Sequence, residues 1–410
     1  MLLKSLSMKI LCASLFLHSN AQGLRISSNI RSIKLFTNNG DGMNVITQNE
    51  LSPFLQRFES RKAAISRQVE QVVADILSQI RLRGDNALAE FSQRYDHVDL
   101  SRIPLLVPEE KLHQAHSHLD PNLLDVLRQA ATNIRDFHSK MQPQSWLSWE
   151  SDGVVLGQRV TALDRVGVYV PGGRAAYPSS FLMGVIPAQV AGVSEIIVAT
   201  PCDSQGEMNA TILAAAYELG ISRVFRMGGA QAIAAMAFGT QTVPRVDKIV
   251  GPGNIYVAIA KKMLYGQCGI DMVAGPSEVL IIADQSASAE FVAADLLAQA
   301  EHDPLASAIL LTDSSDLVHQ VVRQIDLQKK MLPRIEIIQQ SLDNYGAIIC
   351  CDSLEQCAMI SDRLAPEHLG LHVEKPWEML GLIKNAGAIF LGHYSPEAVG
   401  DYWAGPNHVL

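Results

Sequence analysis

"RVGVYVPGG", residues 165–173, decides the fold. A strand with one wet face alternates apolar and polar residues. "VGVYV" does not alternate, so it reads as a strand buried on both faces, as in a parallel sheet covered by helices. It ends in a proline and two glycines, which allow a sharp turn and a close approach of backbone N–H groups to a ligand. Outward from it the same texture returns in "EIIVATP" (195–201), "RVFRMGG" (223–229), "KIVGPG" (248–253), "EVLIIADQ" (278–285), "AILLTD" (308–313) and "AIICCD" (347–352). Amphipathic helical patterns such as "SSFLMGVIPAQVAGV" (179–193) and "FVAADLLAQAEH" (291–302) lie between most of them. Strand alternating with helix predicts an α/β architecture with parallel sheets. No fixed-period repeat or low-complexity linker interrupts it.

Before residue 150 the texture is helical. "RQVEQVVADILSQIRLRG" (67–84) carries apolar residues at three- and four-residue spacing and stops at a glycine. "DNALAEFSQRYD" (85–96) and "LLDVLRQAATNIRDFHSK" (123–140) continue the pattern. In "KLHQAHSHLD" (111–120), His113 and His116 have the spacing of two ligands on one helix. No carboxylate or cysteine completes a site nearby, so the run, His118 included, reads as a solvated helix face.

The 410 residues suit two or more domains. Apolar residues make up 48% and charged ones 18%, as in a globular enzyme. A net charge of −9 without a Lys/Arg block speaks against nucleic acid, whose phosphates need clustered positive charge. No apolar run reaches the length of a membrane span. Six cysteines, Cys12, Cys202, Cys268, Cys350, Cys351 and Cys357, form no C-x-x-C pair and suit buried positions in a reducing cytoplasm. None has an activating neighbour in sequence that marks a thiol nucleophile. The first forty residues hold Lys4, Lys9, Arg25, Arg31 and Lys34 but no Asp or Glu. Their "ILCASLFL" and "SNAQG" read either as a weak secretory signal or as an extension ahead of a start at Met8 or Met43.

Three strands run through glycine turns into helices, "VPGGRAAYP" (170–178), "MGGAQAIAA" (227–235) and "GPGNIYVAIA" (251–260). None is G-x-G-x-x-G, so a nucleotide site and tight strand–helix packing both stand as readings. "LLAQAEHDP" (296–304) sets Gln299 and His302 three apart, on one face if the helix continues, with Glu301 and Asp303 beside them. "GDYWAGPNH" (400–408) offers Asp401 and His408, and "AGPSEV" (274–279) offers Ser277 at a strand entrance. "LAPEHLG" (364–370) sets Glu367 and His368 side by side after a proline. Adjacent residues point different ways, so this is either a polar turn or a place where two bases serve one site.

Together, "VGVYVPGGRAAYPSS", "GGAQAIAAMAFGT", "VDKIVGPGNIYVA", "IDMVAGPSEVLIIAD", "DLLAQAEHDP", "APEHL" and "GDYWAGPNHVL" resemble, in order, the motifs of histidinol dehydrogenases. The resemblance runs from about Val45 to Leu410 and leaves residues 1–44 outside as an extension. It implies two Rossmann-like parallel-sheet domains of the aldehyde-dehydrogenase-like type with an N-terminal helical segment. It also implies a cytoplasmic, homodimeric zinc- and NAD-dependent enzyme of histidine biosynthesis, oxidising L-histidinol through the aldehyde to L-histidine. Tyr169, Gln231 and Asn254 match NAD contacts. Ser277, Gln299, His302, His368 and Asp401 match substrate contacts, and Gln299, His302 and Asp401 match zinc ligands. Glu367 and His368 match the catalytic bases, His368 for alcohol oxidation and Glu367 for hydration of the aldehyde.

The family's pattern continues past "GPNHVL" into a tail that reaches the partner subunit. That tail carries a substrate-contacting glutamate and a further zinc-binding histidine, which His408 does not replace. Little histidinol oxidation and weak zinc binding are therefore expected of the 410 residues alone. The alternatives are an inactive remnant that retains NAD binding, or a dehydrogenase of the same fold acting on another amino alcohol. A zinc hydrolase leaves the glycine turns without a role. The expected division is a cofactor domain at 165–275 and a discontinuous catalytic domain at 45–164 and 276–410. No single sheet should run from 165 to 400.

Overall fold

The computed structural model describes residues 43–46, 48–61, 67–100, 102–172, 178–273 and 275–407. The first forty residues with Cys12, most of the turn after Gly172, and His408 lie outside these. Thirteen strands are described: β1 (Val45–Ile46), β2 (Trp146–Trp149), β3 (Val155–Gln158), β4 (Arg165–Tyr169), β5 (Glu195–Thr200), β6 (Val224–Arg226), β7 (Lys248–Val250), β8 (Gly269–Ile270), β9 (Glu278–Ala283), β10 (Ser307–Thr312), β11 (Ala347–Cys350), β12 (His368–His372) and β13 (Ala388–Leu391).

Two separate parallel sheets result, so the α/β architecture expected from the sequence is present. One has the order β6-β5-β4-β7-β8 and the other β1-β11-β10-β9-β12-β13. The period of two explains why the strands read as unbroken apolar runs. Val166, Val168 and Val198 pack on one face of the smaller sheet, while Tyr169, Ile197 and Ala199 pack on the other. In the larger sheet Val279, Ile281 and Leu310 face one core and Leu280, Ile282 and Leu311 the other. Each fully buried aliphatic side chain contributes about 1.5–3 kcal/mol of transfer free energy, which is what holds helices against both faces.

The helical N-terminal part divides between the sheets. The expectation joined 45–164 as a whole to the later half. Instead, Phe54, Leu55 and Phe58 of the helix Gln48–Arg61 pack on the larger sheet. Helix Arg67–Arg83 covers one face of the smaller sheet through Val73, Ile76 and Ile80, and helix Pro121–Ser139 covers its other face through Leu127 and Ile134. The reason is coverage: a parallel sheet needs helices on both faces, and these supply the layers that 165–275 lacks. The antiparallel pair β2–β3 was not foreseen. It leaves Trp146, Leu147, Trp149 and Leu156 exposed.

The turn after β7 is fixed from within. A buried ion pair, Lys261 with Asp271, takes both backbone groups of Gly251. Lys261 Nζ donates to Gly251 O at 2.9 Å, and Gly251 N–H donates to Asp271 Oδ2 at 2.7 Å. Gly251 sits at φ +122°, and a Cβ there would lie 2.0 Å from Tyr169 O. Gly251→Ala is therefore expected to cost about 2 kcal/mol or more, because backbone, not a flexible side chain, occupies the space. A thermal midpoint equal to that of the parent chain would contradict this.

Candidate active site

Three polar side chains gather at the carboxyl ends of the smaller sheet, where open α/β sheets place ligands. Tyr169 closes β4, and its buried hydroxyl accepts from Gly229 N–H at 3.1 Å. Burial pushes the phenol up to about 12, so it stays protonated and neutral. Gln231, buried in the first turn of helix Gly229–Phe238, donates to Asp96 Oδ2 at 3.1 Å. Asn254 caps helix Ile255–Leu264, accepting from Tyr256 N–H at 3.0 Å and Val257 N–H at 3.2 Å. Gln231 and Asn254 stand at helix N-termini, where backbone donors and the helix dipole favour an anion, and the Tyr169 hydroxyl meets the first of these at Gly229.

A second group gathers at the amino ends of the larger sheet. From β8 the segment 271–277 leads into β9. Its seven residues span at most roughly 25 Å, which bounds the separation of the end of β8 from the start of β9. Ser277 stands at that entrance, beside Glu278, whose backbone N–H donates to Glu367 Oε2 at 3.2 Å. Ala365 ends the preceding helix in the left-handed region at φ 48°, Pro366 follows, and His368 opens β12 between β9 and β13. Glu367 and His368 thus diverge from one point. Glu367 turns to the start of β9, while His368, buried, turns to the segment after β13. Its Nδ1 lies 3.1 Å from Glu397 Oε1 and its Nε2 lies 3.8 Å from Asp401 Oδ1.

Gln299 enters from the last turn of helix Ala289–Ala300. With its amide nitrogen turned to Glu397 it donates to both carboxylate oxygens at 3.1 Å. His368, Glu397 and Asp401 each offer a ligand atom, all within 4.8 Å of one another. Burial, with the neighbouring Asp401, Glu367 and Asp295 charges, pushes Glu397 up to about 9. Burial and Glu367 push Asp401 up to about 7. Carboxylates crowded together out of water hold their protons unless a cation joins them.

Of the residues singled out in the sequence, Gln299, His368 and Asp401 meet, with Glu367 and Ser277 alongside. His302 stands outside the His368, Glu397 and Asp401 group. The helix ends at Ala300, His302 sits in the following turn, and its side chain is exposed. Glu397 was missed, although the four-residue step from Glu397 to Asp401 is a helical spacing that sets both on one side. The histidine run holds ordinary contacts, His116 Nε2 with Glu218 Oε2 at 2.7 Å. Burial raises the thiols of Cys202 and Cys268 to about 11, which leaves them inert as nucleophiles.

The last described segment ties the two units together. Asn133 Nδ2 donates to Trp403 O at 2.8 Å, and Asn407 Nδ2 donates to Met183 O at 2.6 Å. A cleft of about 1360 Å³ lies between the units, with Lys248 and Val250 on one wall and Phe390, Tyr394 and Val399 on the other. The polar cluster is beside this cleft rather than in its lining.

The profile of the histidinol dehydrogenase family matches residues 59–410. The chain belongs to the histidinol dehydrogenase family. A histidinol dehydrogenase of Geobacillus kaustophilus is 52% identical over 340 residues, 83% of this chain and 80% of that protein. One of Thermosynechococcus vestitus is 50% identical over 370 residues, 90% of this chain and 86% of its own. The crystal structure of histidinol dehydrogenase from Elizabethkingia anophelis superposes with a TM-score of 0.85 at 36% identity, over 90% of this chain and 85% of that one. Membership in the histidinol dehydrogenase family thus covers both sheets and the segment bearing Glu397 and Asp401. Among the described residues no helix is long and apolar enough to cross a membrane.

Proposed function

We propose that the chain oxidises L-histidinol to L-histidine through the aldehyde, in two NAD-dependent steps. The observation that carries this reading is the half-identity to histidinol dehydrogenases over more than four-fifths of the chain. NAD⁺ would lie on the turns of Tyr169, Gln231 and Asn254 and supplies the hydride acceptor in each step. Ser277, Gln299, His302, His368 and Asp401 hold the substrate. His368 accepts the hydroxyl proton as the alcohol is oxidised, a task an imidazole performs near neutral pH. Glu367 takes a proton from the water that hydrates the aldehyde, the second step needing a hydrate before another hydride can leave. The divergence of the two side chains from one proline-stiffened corner supports this division.

The donor set fits a zinc ion. Partly buried carboxylates with raised pKa values beside a buried imidazole are ligands whose crowding a divalent cation relieves. Gln299, Asp401 and His302 would hold it, His302 from the exposed turn three residues beyond Gln299. When bound, zinc supplies an anchor for the substrate's imidazole and amine nitrogens. We assign chemistry to the unit built on 276–410 and cofactor binding to 165–275. The exposed Trp146, Leu147 and Trp149 of β2 support a homodimer, since such a patch marks association. The five free thiols Cys202, Cys268, Cys350, Cys351 and Cys357 support a cytoplasmic location.

Folded-state pKa values of Glu397 and Asp401 lie above ordinary carboxyl values. The folded chain therefore holds protons that the unfolded chain has released. Stability should fall as pH rises from about 4 through about 7 for Asp401 and on to about 9 for Glu397. Zinc competes with those protons, so it should raise the thermal midpoint more at about pH 8 than at about pH 5. An equal shift at both pH values would count against this cluster as the metal site. The activity itself is tested by NADH formation with L-histidinol against an amino alcohol lacking the imidazole. Equal rates with both would reject histidinol as the substrate.

A further inference from the structure

We infer that Asp96 is a positioning residue for the cofactor, setting which end of the Gln231 amide faces the cofactor turn. The inference rests on the reading of Gln231 as a cofactor contact. Asp96 ends the short helical turn Ser92–Asp96, 135 residues away from Gln231 in sequence and outside the glycine-turn motifs. His97, next in the chain, lies in the left-handed region at φ 58° and breaks that turn.

A primary amide can present either its oxygen or its nitrogen to a partner. An ionised carboxylate has only lone pairs, so it selects the nitrogen. Gln231 Nε2 accordingly faces Asp96 Oδ2 at 3.1 Å. The amide end lies over the glycine turn with Oε1 the nearer atom: a Cβ on Gly229 would lie 2.8 Å from Oε1 and 3.4 Å from Nε2. The second Asp96 oxygen lies against the same turn, 3.1 Å from where a Cβ on Gly228 would sit, and the backbone of Gly228 hydrogen-bonds the carboxyl. Burial pushes the Asp96 carboxyl up, while Gln231 and Gly228 hold it down. One carboxylate thus fixes both the side chain and the backbone that precedes helix Gly229–Phe238. Gly229 N–H is meanwhile held by the Tyr169 hydroxyl. The turn is set before the cofactor arrives, and ordering it costs nothing at binding.

Asp96→Asn is the isosteric test, because an asparagine can donate and so lets the Gln231 amide flip. NAD⁺ affinity is measured by titration calorimetry for the parent chain, Asp96→Asn, Gln231→Ala and the double variant. Near-ultraviolet circular dichroism checks that each is folded. Asp96→Asn is expected to weaken NAD⁺ binding about fivefold or more, and Gln231→Ala about tenfold. In the Gln231→Ala background, Asp96→Asn should add less than about twofold, since its route is through the amide. KM for NAD⁺ should rise in Asp96→Asn while KM for L-histidinol moves less than about twofold. Intact binding in Asp96→Asn beside weakened binding in Gln231→Ala would overturn the positioning role and leave the cofactor reading standing. Additive losses in the double variant would overturn it as well, by showing an independent role. Intact binding in Gln231→Ala would remove the cofactor reading of that residue, and the inference with it.

Discussion

With His368 replaced by asparagine, conversion of L-histidinol to the aldehyde should slow about a hundredfold or more, the usual loss when a general base is removed. Asparagine keeps a polar group of similar reach but cannot accept a proton near neutral pH. The buried imidazole opens β12 between Glu397 at 3.1 Å and Asp401 at 3.8 Å, so no bulk water stands in for it. Aldehyde supplied directly bypasses the first proton transfer, and its oxidation should suffer less. The check is single-turnover NADH formation from alcohol and from aldehyde. Equal loss in both would mean that His368 supports the site as a whole and is not the base of one step.

Glu367→Gln should show the opposite asymmetry, again about a hundredfold or more, on oxidation of the aldehyde. Glutamine retains the acceptor that receives Glu278 N–H at 3.2 Å, so the corner between the preceding helix and β12 should persist. What is lost is the capacity to take a proton from water. Aldehyde should therefore accumulate, trapped in the variant by a hydrazine or similar carbonyl reagent. A variant that slows alcohol oxidation as much as aldehyde oxidation would contradict the division of labour.

The sheets were legible because burial on both faces forces unbroken apolar runs, and all seven of those runs became strands, β4, β5, β6, β7, β9, β10 and β11. β12 was not legible. "HLGLH" carries two histidines and a glycine, yet it is buried throughout, because His368 faces Glu397 and Asp401 and His372 faces Asp295 rather than water. The glycine turns were visible, but their fastening was not. Lys261 with Asp271, and Asp96 with Gln231, are long-range pairs that no local pattern announces. The helix bearing Gln299 stops at Ala300, but its turn carries on: His302 N–H donates to Gln299 O at 3.1 Å, which keeps the two residues one turn apart. The location of the polar cluster also ran against the usual rule. It sits at the amino ends of β9 and β12, while the glycine turns occupy the carboxyl ends of the other sheet. The short 271–277 connection bounds the separation of the end of β8 from the start of β9.

The central claim is that one site carries both oxidations, with Glu367 and His368 serving successive steps. Counting NADH formed per L-histidinol consumed, with the product identified, tests it most directly. The account predicts two NADH for each L-histidinol, L-histidine as the product, and no build-up of aldehyde. One NADH for each L-histidinol, with the aldehyde released, would contradict it.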